Sequence, residues 1–438
     1  MTDVSIVHCI DTEGPLAEAP LSLEDGLEDN VFPRPLPPGG FDGDIKGLID
    51  WHRKGTLGSW ERITAMLRRA TSPEQRRRFP DSFGTPWRFN WFCMDHLDFI
   101  ENPRRRAMGI HAVYDFYSDL VLRQKLGDAV HWHFHPMSTY RQANQCATSY
   151  TNSPALYEIL CRRVIDRKFF PRANRAGFQD ERPDSHWFLE QWIPFDLSNM
   201  ASDDICSKTN PDFEDGRFSD WRWAPKDWRT YRPAHNCHQL EGQCQRKIAR
   251  CLPVLTRVAN LSAHDVEAAF ARAAQGLPTL LSFSSHDWRD LCVEMDYVAH
   301  LIEKAQARHP GVKFRYCEAV EAFNAVHPAP VGPALRLGCR LLKDEKGRPL
   351  RINIETLSGK IFGSQPFLAI RTRSRRYIHD NLNYWNSLDS FNYVFDEQSV
   401  LPEDVSAIGV VANDALGNQC LHTIEIDDQT PGCGAIDF

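Results

Sequence analysis

Three segments of the 438-residue chain carry side chains that can do chemistry together. Asp11 and Glu13 stand two apart, directly after the apolar run at residues 4–10. Side chains two apart on an extended backbone point the same way, so both carboxylates can face one site, one as metal ligand and one as base. His131, His133 and His135 repeat with the same period in AVHWHFH, ahead of Pro136. A strand there turns all three imidazoles to one face. Imidazole is the commonest metal ligand, and two imidazoles with one carboxylate leave a zinc ion a free position for water. The spacing leaves open which two of the three bind. Ser284, Ser285, His286 and Asp287 close a third apolar run, LLSF. Neighbours on a strand point to opposite faces, so consecutive Ser, His and Asp cannot form a hydrogen-bonded triad. His286 alone can serve as a general acid. The plainer alternatives are a solvated acid pair at 11 and 13 and structural histidines at strand ends; three imidazoles in register weigh against the latter at 131–135.

Each cluster falls at the end of a strand-like run. Residues 87–94 and 312–317 are further strands by their aromatic and β-branched content. Helical spacing marks residues 102–125, 154–167, 186–192 and 292–307. Ser262 to Asp265 form a capping-box start, and Gly276 ends the helix that follows. Residues 14–45 are rich in turn formers and read as a long surface excursion, and residues 200–240, rich in Trp, Asp and Pro with low periodicity, read as a long loop packed by its own aromatics. Strands alternating with helices imply a parallel sheet. Polar groups gathered at strand ends make a barrel-like α/β fold the better expectation. Pro328 to Pro333 is a Pro-rich linker, and beyond it short strands separated by turn signals predict a small all-β domain. The expected division is therefore 1–327, a linker at 328–333, and a β-rich accessory domain at 334–438, with the first part folding alone.

The net charge of −7 weighs against a nucleic-acid or anionic-membrane partner. The 13 cysteines are scattered with no CxxC pair, which argues against a thiolate zinc site. Cys237, Cys244 and Cys251, seven apart, would share at best one helical stripe. The opening residues lack a basic n-region and a long apolar run, so no signal peptide is expected. No apolar stretch is long enough for a transmembrane segment. A cytoplasmic protein with reduced thiols is the simplest account.

Taken together, these segments resemble the polysaccharide deacetylases of the NodB-homology family, carbohydrate esterase family four. Ile10-Asp11-Thr12-Glu13-Gly14-Pro15 looks like a D-x-E variant of that family's first motif, which usually has adjacent aspartates. His131 and His135 fit its H-xxx-H-P spacing, and His133 and His135 fit an H-x-H-P variant. Arg175-Ala176-Gly177 resembles the arginine motif, ahead of Pro194-Phe195-Asp196-Leu197-Ser198, and Leu281 to His286 resembles the closing histidine motif. The order of all four agrees over residues 1–325, and the nearest likeness is to the WbmS-like O-antigen-locus branch.

The resemblance implies a distorted (β/α) barrel of NodB type with a Zn²⁺ or other divalent ion held by Glu13 and two of the three histidines. It casts Asp11 as base, Arg175 as its orienting partner and His286 as acid, and makes 1–327 the deacetylase domain. Trp132, Asp196, Trp223, Tyr231 and Asp287 are the expected substrate contacts. The expected substrate is an acylated sugar or glycan, free or nucleotide- or lipid-linked, in surface-polysaccharide or O-antigen biosynthesis. The alternatives are a catalytically degenerate sugar-binding domain, a scaffold protein of a glycan pathway, or an amidohydrolase on a small non-sugar amide.

Overall fold

Apolar runs such as VSIVHCI are buried on both faces only when helices cover a parallel sheet, and that is how this chain arranges them. The computed structural model describes residues 2–15, 35–95, 111–136, 150–151, 153–203, 221–328, 332–426 and 434–437. Seven parallel strands close a barrel. They are β1 (Val4–Thr12), β2 (Asn90–Asp95), β3 (Ala129–Phe134), β4 (Ala173–Ala176) and β5 (Phe195–Asn199), followed, after a hairpin of β6 (Pro233–Ala234) and β7 (Cys237–Glu241), by β8 (Lys247–Pro253) and β9 (Thr279–His286). Closure comes from β9 pairing with β1 along Val4–Asp11, which puts Asp11 opposite His286. A further strand, β10 (Phe314–Tyr316), extends the sheet beside the first half of β1.

Parallel neighbours require crossovers, and most of these are helical: α1 (Ile45–Arg53), α2 (Trp60–Ala70), α3 (Pro73–Arg77), α4 (Ala112–Gln124), α5 (Pro154–Arg167), α6 (Pro183–Trp192), α7 (Ala263–Ala274) and α8 (Leu291–Arg308), while α9 (Ala319–Val326) follows β10. Ile6 and Ile10 of β1 face outward, in one core with Ile63 and Leu67 of α2, Phe270 of α7 and Met295 and Val298 of α8. Val7 and Cys9 face inward to Phe92, Leu197 and Ala249. Ala319, Ala322 and Phe323 of α9 join that inner cluster, and the α9 N-terminus sits at the start of β2, where Asn90 Oδ1 accepts from Ala319 N at 2.8 Å. The barrel is thus filled from below, and its C-terminal strand ends carry the polar groups.

The last third pairs antiparallel. A five-stranded sheet, β15 (Asn383–Tyr384), β16 (Ser390–Val394), β12 (Pro349–Ser358), β11 (Arg336–Lys343) and β19 (Gly434–Asp437), faces a four-stranded one, β14 (Tyr377–Asp380), β13 (Phe367–Thr372), β17 (Val405–Asn413) and β18 (Gln419–Glu425). Leu341, Ile352 and Phe391 meet Leu368, Ile370 and Ile408 between them. The outer face of the second sheet is not solvated. Phe367, Ala369, Ala407 and Val411 share one core with Leu156, Ile159 and Val164 of α5 and Phe188 and Trp192 of α6.

Several local expectations change. The helix expected over 102–125 is described only as α4, because residues 96–110 lie outside the described residues. The loop expected over 200–240 ends in the β6–β7 hairpin, and residues 204–220 of it lie outside the described residues. Cys237 and Cys251 stand on strands β7 and β8, not on a helical stripe. Helices α1 and α2 and strand β8 had no sequence-level expectation. Among the described residues, no helix is long and apolar enough to cross a membrane.

Candidate metal centre

Strand register decides which side chains meet. Residues paired across parallel strands turn to the same side, so the pairs Asp11–His286 and His133–Arg175 place four inward groups at one end of the barrel. Arg175 donates to Asp11 from Nε at 2.7 Å and from Nη2 at 3.0 Å, and its Nη1 donates to the Leu197 carbonyl at 2.6 Å. Burial works to raise the Asp11 carboxyl, but the charges of Arg175 and His133 outweigh it and hold Asp11 below its ordinary value. Asp11 is therefore a buried, ionised carboxylate fixed in orientation.

Beside this pair, Glu13, His133 and His135 converge, with one donor atom from each lying within 4.8 Å of the others. The edges are 2.9 Å between the two imidazole Nε2 atoms, 3.4 Å from Glu13 Oε1 to His135 Nε2 and 3.7 Å from Glu13 Oε1 to His133 Nε2. Metal–ligand bonds of about 2.1 Å in tetrahedral array require ligand–ligand edges of about 3.4 Å, so the set is close to the size of a small divalent ion. The orientation fits as well. His133 Nδ1 lies 2.8 Å from the Arg175 carbonyl, a donor contact that fixes the proton there and leaves Nε2 as a lone-pair donor. Burial lowers the His133 imidazole, but the Asp11 and Glu13 carboxylates outweigh it and hold its pKa above the ordinary value. Gly177 makes room for His135: a Cβ on it would lie 2.6 Å from the Phe134 carbonyl and 2.7 Å from His135 Cδ2. These residues can hold a metal ion.

His131 does not join them. Its Nε2 lies 3.2 Å from Asn90 Oδ1 and 3.2 Å from Glu318 Oε1, deeper in the barrel beside the α9 N-terminus. Burial raises the Glu318 carboxyl, but its contact with His131 dominates and lowers it to about 2. Of the two histidine spacings, the H-x-H pair is the one that meets Glu13.

His286 faces the cluster from β9, with Nε2 3.9 Å from Glu13 Oε1 and a fifth of its side chain exposed. Burial pulls its imidazole below the ordinary value against the pull of Glu13 and Asp11. Asp287 is buried and accepts from the backbone N–H of Glu13 and Gly14, each at 2.9 Å, and from Tyr117 Oη at 2.6 Å. It sets the turn that presents Glu13. Tyr117, on α4, was not visible as a site residue in the sequence.

The other expected substrate contacts lie apart from the cluster. The Trp132 indole is on the opposite face of β3, between Phe134 and Phe188, and donates to Asp95 at 3.1 Å. Asp196 is fully buried outside the barrel wall, 2.8 Å from Arg246; burial and the neighbouring Glu181 push it up to about 7 against the pull of Arg246. Tyr231 is buried with its hydroxyl on the His238 carbonyl. Trp223 is largely exposed, and its backbone N–H donates to Gln239.

No family model matches the chain, and no curated protein or solved structure matches it.

Proposed function

We propose that this protein is a metal-dependent hydrolase of the NodB type that removes an N-acetyl or other acyl group from a sugar in surface-polysaccharide or O-antigen biosynthesis. The observation that carries this is the placement of the Arg175-clamped Asp11 carboxylate directly beside the Glu13–His133–His135 donor set. A carboxylate held ionised in a buried place serves as a base, and it is best placed against a polarised water.

Glu13, His133 and His135 would hold the ion; zinc suits a borderline set of two imidazoles and one carboxylate. When bound, such an ion acts as a Lewis acid that makes a water acidic and polarises an acyl oxygen. Asp11 takes the proton of the attacking water. Arg175 keeps the carboxylate plane fixed during that transfer and stabilises its charged form. His286, across the site and partly open to solvent, hands a proton to the leaving nitrogen. Tyr117 and Asp287 hold the Glu13–Gly14 backbone so that the carboxylate points inward.

The test is metal content by elemental analysis, followed by acetate release from free, nucleotide-linked and lipid-linked N-acetyl sugars. The expected result is about one divalent ion per chain and turnover that Asp11→Asn abolishes. A chain that takes up the metal but releases no acetate from any of these substrates would favour the sugar-binding alternative. Release from small non-sugar amides alone would reassign the substrate.

A further inference from the structure

Arg289 lies in the turn that follows His286. The turn is closed by Arg289 N donating to the His286 carbonyl at 3.2 Å. The side chain is 8% exposed. Its guanidinium packs 4.6 Å over the Trp288 ring, and that ring lies 4.8 Å from the His286 imidazole. Among the described residues its one hydrogen bond is Nη1 to the Leu255 carbonyl at 3.2 Å; Nε is buried without a partner, and no carboxylate is within ion-pair distance. Among the described residues the indole N–H of Trp288 is also buried without a partner. Glu294, the acid whose charge acts most strongly on Arg289, is already bound to His52 at 2.8 Å.

This pattern is unusual for a structural arginine. A guanidinium has five donors and cannot lose its charge, and buried charges are normally paired because burying one alone is costly. Other buried arginines of the barrel obey that rule. Arg76 is clamped by Asp128, and Arg246 by Glu181 and Asp196. Arg289 differs from both, and it stands at the strand end that bears the candidate site. Its charge acts on both Glu13 and His286.

We propose that Arg289 is a substrate-recognition residue whose guanidinium binds an anionic group, carboxylate or phosphate, carried on the acylated sugar. The planar fork suits either anion, since both present paired oxygens. The Trp288 N–H, unpartnered among the described residues, is a second donor in the same turn. That the anion belongs to an acylated sugar rests on the deacetylase reading; that an anion binds at Arg289 does not.

The experiment uses the full chain as wild type, Arg289→Met and Arg289→Lys, with thermal melting and titration calorimetry. The ligands are N-acetylglucosamine, N-acetylglucosaminuronic acid, N-acetylglucosamine 1-phosphate and inorganic phosphate. Arg289→Met is expected to melt at or above the wild type, because it deletes a poorly paired buried charge. One of the two acidic sugars should bind the wild type about 30-fold or more tightly than the neutral sugar, and which one distinguishes a sugar carboxylate from a linked phosphate. Arg289→Met should lose that preference, and Arg289→Lys should keep part of it. Stabilisation by inorganic phosphate that depends on Arg289, with no response to any sugar, would keep the anion site and overturn its assignment to a sugar. Arg289→Met melting several degrees lower with unchanged ligand response would make Arg289 structural. Equal binding of acidic and neutral sugars, or no response of the wild type to any anion, would overturn the proposal outright.

Discussion

Arg175 grips Asp11 through two parallel contacts, Nε to Oδ1 at 2.7 Å and Nη2 to Oδ2 at 3.0 Å, and both side chains are buried. A fork of this kind fixes the plane of the carboxylate as well as its charge. Arg175→Lys keeps a cation but loses the second contact. It should retain the metal ion while turnover falls about 100-fold, the scale of a misplacement of about 1 Å. Arg175→Ala removes the partner altogether and leaves Asp11 buried alone, at a cost of about 3–5 kcal/mol in denaturant unfolding. Turnover of Arg175→Lys at the wild-type level would show that orientation of Asp11 does not matter.

The three histidines on β3 and just past its end should fail differently. His133 and His135 present Nε2 atoms to Glu13, whereas His131 is held by Asn90 and Glu318. His135→Ala should abolish metal binding. His131→Ala should keep it, and should instead lower stability by leaving the Glu318 carboxylate without its partner. Elemental analysis of both variants, with unfolding curves, separates the cases. Metal loss in His131→Ala would return that residue to the ligand set.

The shared core between the barrel and the antiparallel sheets makes a third, structural prediction. Gly363 sits at φ +82, and a Cβ there would lie 1.8 Å from the Gln191 carbonyl of α6. Nearby, Asn413 Nδ2 donates to the Trp192 carbonyl at 2.9 Å. Gly363→Ala must move backbone at the seam, so it should lower the melting temperature and increase protease sensitivity. Phe367→Ala, which empties a site against Trp192 and Phe170, should cost about 3–5 kcal/mol. Against the sequence expectation that residues 1–327 fold alone, that fragment would expose the α5 and α6 face and should aggregate. A soluble, cooperatively folded 1–327 fragment would show that this core is dispensable to the barrel.

How much of this could be read from residues alone depends on period and on partners. The alternation in HWHFH put three imidazoles on one face of β3, and register then brought two of them to Glu13. What removed the third was Glu318, on an element far along the chain, and no local pattern encodes that. Strand β8 escaped notice because Lys247 and Arg250 interrupt its apolar residues. Both are accommodated only by tertiary contacts, Lys247 over Phe195 and Arg250 with Asp265. Asp287 was legible as a polar group at a strand end, but its use by the Glu13 and Gly14 amides requires the closure of β9 onto β1. Arg289 has no sequence signature, because burial without an ion-pair partner among the described residues is visible only in the fold.

Acid sensitivity should come in part from His8. Its ring is buried 4.5 Å from Phe283, Trp87 Nε1 donates to its Nδ1 at 2.9 Å, and Nε2 meets Ser285 Oγ at 2.8 Å. Burial lowers its pKa from 6.5 to about 3. Between those values the unfolded chain binds a proton that the folded chain does not, so stability rises with pH across that window and is lost as pH falls through it. His8→Phe removes this proton linkage. Its unfolding midpoint should fall less steeply between pH 6.5 and pH 3, although it starts lower at neutral pH because the Trp87 N–H loses its acceptor. An acid limb as steep as that of the wild type would assign the sensitivity to other groups, such as His186 and His238, which burial likewise lowers to about 3.

The last prediction concerns the division of work between Asp11 and Glu13. Glu13 Oε1 faces the Nε2 atoms of His135 and His133, at 3.4 and 3.7 Å. Asp11 faces the other side of His133, 3.9 Å from Nδ1, the nitrogen that contacts the Arg175 carbonyl. The two carboxylates therefore share a site but not a role. Glu13→Gln replaces a charged ligand with a neutral one, so metal affinity should fall by at least roughly 10-fold, the scale seen even for residues behind the ligands. Asp11→Asn leaves all three donors in place. It should keep the metal and lose the proton-transfer step, worth about 10²–10⁴-fold in rate. It also leaves Arg175 without its carboxylate, so unfolding curves are needed to show that the variant is folded where turnover is measured. Metal loss in Asp11→Asn with retention in Glu13→Gln would reverse the two roles. Unchanged metal affinity and turnover in both variants would remove the pair from the site and leave only the histidines to explain.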